Sequence, residues 1–239
     1  MNVWETYDIE VPFMVRLFGG LPEWEIDKDK TALVIVDMQN YCAAPHKGIW
    51  TLAHEQGMDA EMEYYYHRLE VIKPNLSKLL TTCRQQNVPI VHVNGDVLLG
   101  HKSRQRAAER TAKLPGSGLE ERISQRTFDD DADVVDPLQP LPNEIVVKKQ
   151  GAGPFGNTNI DRVLRSLDIE FLIVGGTATH QCVEMTIRGA SDFGYKVIMV
   201  DDGTATVSEE LQQNALIDLA DWFCKVMTTE EILTRILIA

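Results

Sequence analysis

Apolar residues in this chain gather into short continuous runs, separated by stretches whose apolar positions repeat at helical spacing. The first run, residues 32–36 within TALVIVDMQ, is apolar throughout and rich in β-branched residues, the pattern of a strand buried on both faces. Similar runs follow at 88–93 (VPIVHV), 144–148 (EIVVK), 171–174 (FLIV) and 196–200 (KVIMV), with a sixth near 223–227. Helical patterns over 64–86, 159–167 and 183–193 precede the second, fourth and fifth runs. Strands alternating with helices predict βαβ units. The expected fold is therefore α/β: a central, mostly parallel sheet of about six strands with helices on both faces. No internal repeat is present.

Two regions stand outside this alternation. Residues 1–28 scatter Trp4, Phe13, Phe18 and Trp24 among charges and a Gly19-Gly20 turn, as an ordered arm packed on the body or on a neighbouring subunit would. Residues 29–239 then make the main domain. Within it, residues 101–140 begin basic and turn acidic, with no strand or helix pattern. Two readings stand for this stretch: a solvated connection, or a lid over the site.

Composition narrows the function. The 239 residues are 44% hydrophobic and 25% charged, enough for a packed core. The net charge of −13 excludes general binding to a nucleic-acid backbone, which needs a basic surface. No apolar run approaches the roughly 18 residues of a membrane span, and the acidic N-terminus lacks the layout of a secretion signal. The expected setting is cytoplasmic. Cys42, Cys83, Cys182 and Cys224 lie far apart with no zinc-type spacing, so they read as free thiols.

In open parallel sheets, ligands bind at the carboxyl ends of the strands. Asp37 follows the first run there, Lys148 and Lys149 close the third, and GGTATHQC, ending in Cys182, follows the fourth. Singly, each has an ordinary explanation: a turn-forming acid, a solvated lysine, a small core thiol. Together they form a usable set. A helix start and a lysine ammonium lower a thiol's pKa. A carboxylate takes the thiol proton and returns it to a leaving amine. Backbone N–H groups of the turn and of Cys182 make an oxyanion hole.

These residues sit in three ordered motifs: Asp37-Met38-Gln39-Asn40; Lys149 with Phe155 and Thr158 ahead of Ile160-Asp161; and Gly176, Thr179, Cys182, Val183 and Glu184. In them the chain resembles the isochorismatase-like cysteine hydrolases, the family of nicotinamidase, N-carbamoylsarcosine amidohydrolase, ureidoacrylate amidohydrolase and biuret hydrolase. The resemblance runs from about residue 30 to about residue 210. It implies a three-layer α/β/α, Rossmann-like fold and a triad of Asp37, Lys149 and Cys182. It implies a non-proline cis peptide, placed at Thr177–Ala178, with an oxyanion hole from the backbone of Ala178 and Cys182. Asn40, Tyr41, Phe155 and Thr177 become candidate substrate contacts. The partner is a small amide or ureido substrate, no cofactor is needed, and the family implies a homo-oligomer, dimer or tetramer.

The lysine choice follows from the same motif and from geometry. Successive side chains of a strand point to opposite faces, so only one of the pair faces the site. Lys149 has the family's spacing to Phe155 and Thr158 and lies nearer the carboxyl edge. The sequence also departs from the family. Gln150-Gly151-Ala152-Gly153-Pro154 stands where many members have Pro-Arg-Tyr-Ser, which reshapes the pocket wall. Asn94-Gly95-Asp96-Val97-Leu98 carries no Asp-x-His, and His101 comes only later, so no metal site is expected and nicotinamide is disfavoured. Arg104, Arg106 and Arg110 read either as anchors for a substrate carboxylate or as surface charges.

Two rival functions are open to the same residues. Gly151-Ala152-Gly153-Pro154-Phe155-Gly156 is a literal GxGxxG with Asp168 or Glu170 downstream, a possible dinucleotide fingerprint. A non-catalytic interaction domain on the same fold is the other, and the presence of Cys182 weighs against it. Cys42 reads as a packed neighbour of the site, His46 and His54 as loop histidines. The run Tyr64-Tyr65-Tyr66 reads as a helix start with one ring reaching the pocket or a subunit contact.

Overall fold

A computed structural model describes residues 2–95 and 132–237. Six strands form one sheet: β1 Thr31–Val36, β2 Ile90–Gly95, β3 Ile145–Lys149, β4 Phe171–Thr177, β5 Lys196–Ala205 and β6 Lys225–Met227. Their order is β3-β2-β1-β4-β5-β6 and every pairing is parallel. The helices of the described residues are α1 Val3–Thr6, α2 Phe13–Phe18, α3 Asn40–Ala43, α4 Gly48–Glu55, α5 Asp59–Gln85, α6 Ile160–Ser166, α7 Glu184–Asp192, α8 Glu209–Trp222 and α9 Thr229–Ile232. A π turn, Thr179–Val183, leads into α7.

Alternation along the strands divides the core in two. Leu33, Ile35, Ile173 and Ile198 pack on the face covered by α5 and α9. Ala32, Val34, Val36, Leu172 and Val174 pack on the opposite face, with Leu164 of α6, Ile187 of α7 and Leu216 of α8. All six residues of β1 are buried, as its continuous apolar run requires. The three-layer α/β/α architecture expected from the pattern is the one observed.

Helix α5 shows why its face is fixed. Met62, Tyr65, Leu69, Ile72, Leu76, Leu79 and Cys83 are buried at alternating spacings of three and four, one apolar stripe on a 27-residue helix. Asp59 and Glu61 in its first turn suit the positive end of the helix dipole. The helix therefore starts five residues before the expected Tyr64, and the tyrosine run lies inside it rather than at its start. Helix α8 has no counterpart among the expected elements. The Ser208 side chain accepts from Leu211 N–H at 3.2 Å, and Glu209 and Glu210 fill its first turn.

The chain before β1 packs on the body. Val3 is buried in the α8 face of the core. The Tyr7 hydroxyl reaches both carboxylate oxygens of Asp201, each at 2.8 Å. Of the segment read as connection or lid, residues 101–131 lie outside the described residues. Residues 132–140 follow the body closely: Gln39 and Val134 form an antiparallel bridge, Val135 N–H donates to the Met38 carbonyl at 2.8 Å, and Leu138 is buried. His54, expected in a loop, sits on α4, where its ring bonds Asp59 at 3.0 Å.

Candidate active site

The strand order reverses at β1, whose neighbours are β2 and β4. That is the switch point where a crevice opens beyond the strand ends. Asp37 is the first residue past β1, and its φ of 48° is left-handed, a conformation aspartate tolerates better than most residues. Gly176 holds β4 against β1: its φ is 125°, and a Cβ there would stand 2.1 Å from the Val36 carbonyl oxygen. Only glycine fits, so this position brings the Thr177–Ala178 turn beside Asp37. The Thr177–Ala178 peptide is cis. The Thr177 hydroxyl donates to the Asp37 carbonyl at 3.1 Å, tying the two strand ends together.

Lys149 comes from β3, two strands from β1. It reaches past Gly95, its register partner on β2. Its Nζ lies 2.8 Å from Asp37 Oδ2, 3.3 Å from Cys182 Sγ, and 3.1 Å from the Gly151 carbonyl. One ammonium thus touches a carboxylate, a thiol and a backbone oxygen. Lys149 and Asp37 are both buried, while Cys182 is half-buried at the crevice. Lys148 points the other way and is exposed. The second Asp37 oxygen, Oδ1, is buried and has no hydrogen-bond partner among the described residues.

The electrostatics overturn one expectation. A helix start and a lysine were to lower the Cys182 pKa. Instead burial and the Asp37 charge outweigh Lys149, and the thiol is pushed up to about 12. Cys182 lies inside the π turn that runs directly into α7. The resting site is a thiol beside a lysine–carboxylate ion pair. Burial pulls the Lys149 ammonium down, yet Asp37 and Cys182 hold it above the ordinary lysine value, so it stays charged.

Ala178 stands at the crevice, with its carbonyl accepting from Gln181 and Val183 N–H at 3.0 and 3.2 Å. Asn40 and Tyr41 open α3 directly beyond Asp37 and are half-buried. Two candidate substrate contacts are engaged within the protein. Thr177 is buried with its hydroxyl committed to Asp37. The Phe155 ring is packed against Phe193, Tyr195 and the Cα of Gly189, so it braces α7. The glycine-rich stretch is also no dinucleotide turn. Helix α6 begins at Ile160, past all three glycines, and Gly153 is pressed against the Met185 carbonyl, where a Cβ would lie at 2.9 Å.

Several positioning groups escaped the sequence reading. Gln39 is buried and grips Gly95 from both sides, accepting from its N–H at 2.8 Å and donating to its carbonyl at 3.3 Å. Its place in Asp-Met-Gln-Asn was the available signal. Tyr65 is the buried ring of the tyrosine run, and its hydroxyl donates to the Cys42 carbonyl at 2.9 Å. Cys42 is close enough to the triad for Asp37 and Cys182 to raise its pKa further, after burial has done most of it. A cavity of about 650 Å³ opens between α3, α4 and α5, walled by Cys42, Trp50, Tyr66 and Leu69 among others, and none of the three reactive side chains lines it. Chemistry, not cavity size, therefore marks the site.

Asp96, Val97, Leu98, His101, Arg104, Arg106 and Arg110 lie outside the described residues, so the metal and carboxylate readings placed on them have no structural counterpart here. Among the described residues, no three His, Cys, Asp or Glu side chains are grouped to hold a metal ion. No helix among them is long and apolar enough to cross a membrane.

A single six-stranded parallel sheet with helices on both faces thus brings a cysteine, a lysine and an aspartate together at its switch point. Residues 31–231 match the isochorismatase domain, and the chain belongs to that family. It is 26% identical over 196 residues to the secreted isochorismatase effector Isc1 of Verticillium dahliae, covering 80% of this chain and 92% of that protein. A shorter segment of 87 residues is 40% identical to the ureidoacrylate amidohydrolase RutB of Pantoea ananatis, covering 36% of this chain and only 35% of that protein. Among solved structures, a cysteine hydrolase from Pseudomonas syringae pv. phaseolicola aligns with a TM-score of 0.74 at 26% identity, covering 90% of this chain and 96% of that one.

Proposed function

We propose that this member of the isochorismatase family is a cysteine-dependent amidohydrolase that cleaves a small linear amide or ureido compound. The single observation behind this is the shared ammonium: Lys149 Nζ touches both Asp37 and Cys182, while Asp37 Oδ1 has no hydrogen-bond partner among the described residues. A thiol held up to about 12 needs a base at the moment of attack. Asp37 is that base.

As Sγ bonds to the substrate carbonyl carbon, Asp37 takes the thiol proton. The carbonyl oxygen gathers the negative charge and is held by the backbone N–H groups of Ala178 and Cys182. Asp37 then passes the proton to the leaving nitrogen, the C–N bond breaks, and ammonia departs from a thioester. A water attacks the thioester with Asp37 again as base, and the proton returns to sulfur. Lys149 stays charged throughout, orienting Asp37 and stabilising the thiolate. Asn40 and Tyr41 contact the substrate. No cofactor enters any step.

The RutB likeness favours ureido compounds; N-carbamoyl amino acids and biuret-type molecules are the further candidates. The four cysteines, none in a disulfide, support a cytoplasmic setting. The exposed Phe13, Leu17, Phe18 and Trp222 support a homo-oligomer, which light scattering in solution tests. The decisive experiment for the reaction is ammonia release over a panel of amides and ureido acids, with wild type and Cys182→Ala side by side. Release by wild type alone is expected. Equal release by both proteins, or none from any compound, would remove the reading.

A further inference from the structure

The turn that carries Ala178 and Cys182 is not held by its own strand. After Thr177 the chain leaves the sheet, and the side chains of Thr179 and His180 are both fastened elsewhere. The Thr179 hydroxyl donates to Gln212 Oε1 at 2.7 Å. His180 Nδ1 meets the Thr206 hydroxyl. Gln212 lies on α8 and is 2% exposed. Its other end, Nε2, donates to the Thr204 hydroxyl at 3.1 Å.

Thr204 is itself anchored. It belongs to the far end of β5, where Thr204 pairs with Gly176 past a register shift. Its carbonyl accepts from Arg68 Nη2 at 2.7 Å, and the same nitrogen donates to the Asp201 carbonyl at 2.8 Å. A chain of hydrogen bonds thus runs from α5, through the end of β5 and through Gln212, to the residue next to Ala178. All of Thr179, Thr204 and Gln212 are buried. A buried amide with both ends satisfied is a rigid strut, because breaking either bond strands a polar group away from water.

We propose that Gln212 is a positioning residue for the reaction: it fixes the turn from Ala178 to Cys182, and so the oxyanion-binding N–H groups, by bridging Thr179 to Thr204. This deepens the amidohydrolase reading and rests on it for its rate effects. Gln212 touches no reacting atom. Its role is to keep two backbone N–H groups and one sulfur in register with Lys149 and Asp37, where a displacement of about 1 Å costs on the order of 10²-fold in rate.

The test uses Gln212→Leu, which keeps the bulk and removes both bonds, Thr179→Val, which removes one with little change in shape, and the double variant. Amide hydrogen exchange is followed at Gln181 and Val183, whose N–H groups bond the Ala178 carbonyl. Exchange there should quicken in both single variants. On a substrate found by the ammonia screen, kcat should fall about tenfold or more with KM changed little, and the double variant should be no worse than Gln212→Leu. Gln212→Glu keeps an acceptor for Thr179 and should recover part of the rate. A lower melting temperature with unchanged exchange at 181 and 183 and unchanged kcat would overturn the proposal, since Gln212 would then be packing alone. Additive losses in the double variant would also overturn it. The exchange measurement needs no substrate, so it decides the strut even where the amidohydrolase reading itself fails.

Discussion

Two buried clusters in this fold join a carboxylate to a cation and a third group. One is Asp37, Lys149 and Cys182 at the carboxyl ends of the strands. The other is Glu144, Arg84 and His92, where β3 begins against the end of α5. Glu144 Oε1 takes Arg84 Nε at 2.7 Å, and Oε2 meets Arg84 Nη2, His92 Nε2 and Leu141 N–H at 3.1, 3.0 and 2.9 Å. Both oxygens are used. Asp37 differs in one respect: Oδ2 has Lys149, and Oδ1 has no hydrogen-bond partner among the described residues. A buried carboxylate with both oxygens bonded is a fastening. One with an open oxygen beside a thiol has a valence left for a proton in transit.

The electrostatics draw the same line. Burial pushes Glu144 up, but Arg84, Leu141 N–H and His92 together outweigh it, and its pKa ends below the ordinary value. Burial holds His92 down despite Glu144, so its ring is neutral. At the other cluster the thiol rises and the ammonium rises, so both groups hold their protons at rest.

The sharpest break of this contrast is Cys182→Ala. It should lower kcat by several orders of magnitude and leave the melting temperature close to wild type, as steady-state rates and thermal unfolding would show. Retention of more than about a hundredth of the rate would count against covalent catalysis. Lys149→Ala comes next, with a loss on the order of 10²-fold or more in kcat/KM.

Glu144→Gln should do the reverse. It loosens the fastening, costs about 1–3 kcal/mol of stability, and leaves kcat per folded molecule unchanged. For a chain of this size that is a melting temperature lower by roughly 3–10 °C. A rate loss as large as that of Lys149→Ala would show that the two clusters are not separate in function.

Acid should reveal the fastening as well. His92 has a folded pKa below its ordinary 6.5, so the unfolded chain binds more protons as pH falls through that value, and stability declines. Glu144, also lowered, adds a second decline as pH falls below its ordinary 4.5. Melting temperatures across pH 4–7 should therefore fall toward acid; in Glu144→Gln the charge that raises His92 is gone, so the fall below 6.5 should be at least as steep, while the decline that belongs to Glu144 below 4.5 should disappear. The smallest effect belongs to Lys148→Ala: the side chain is exposed, and kcat/KM should change only a few-fold. An inactive Lys148→Ala beside an active Lys149→Ala would reverse the assignment of the two lysines.

Much of this was written in the order of residues. Continuous β-branched runs named five strands and placed a sixth, because a strand covered on both faces must be apolar at every position. Strand ends then singled out Asp37, the pair Lys148 and Lys149, and Cys182; period two along β3 said that only one lysine faces the site, and the spacing shared with the family, with its place nearer the carboxyl edge, favoured Lys149. Tertiary structure alone decided the rest. That Phe155 packs behind α7, that Thr177 spends its hydroxyl on Asp37, and that Gln212 reaches Thr179 across 33 positions of sequence all depend on which side chains meet in space. The charge state of Cys182 was decided there too. A sequence shows that a thiol, a lysine and a carboxylate converge, but the pKa is set by how deeply each is buried and how close the like charge stands, and both are properties of the packed fold.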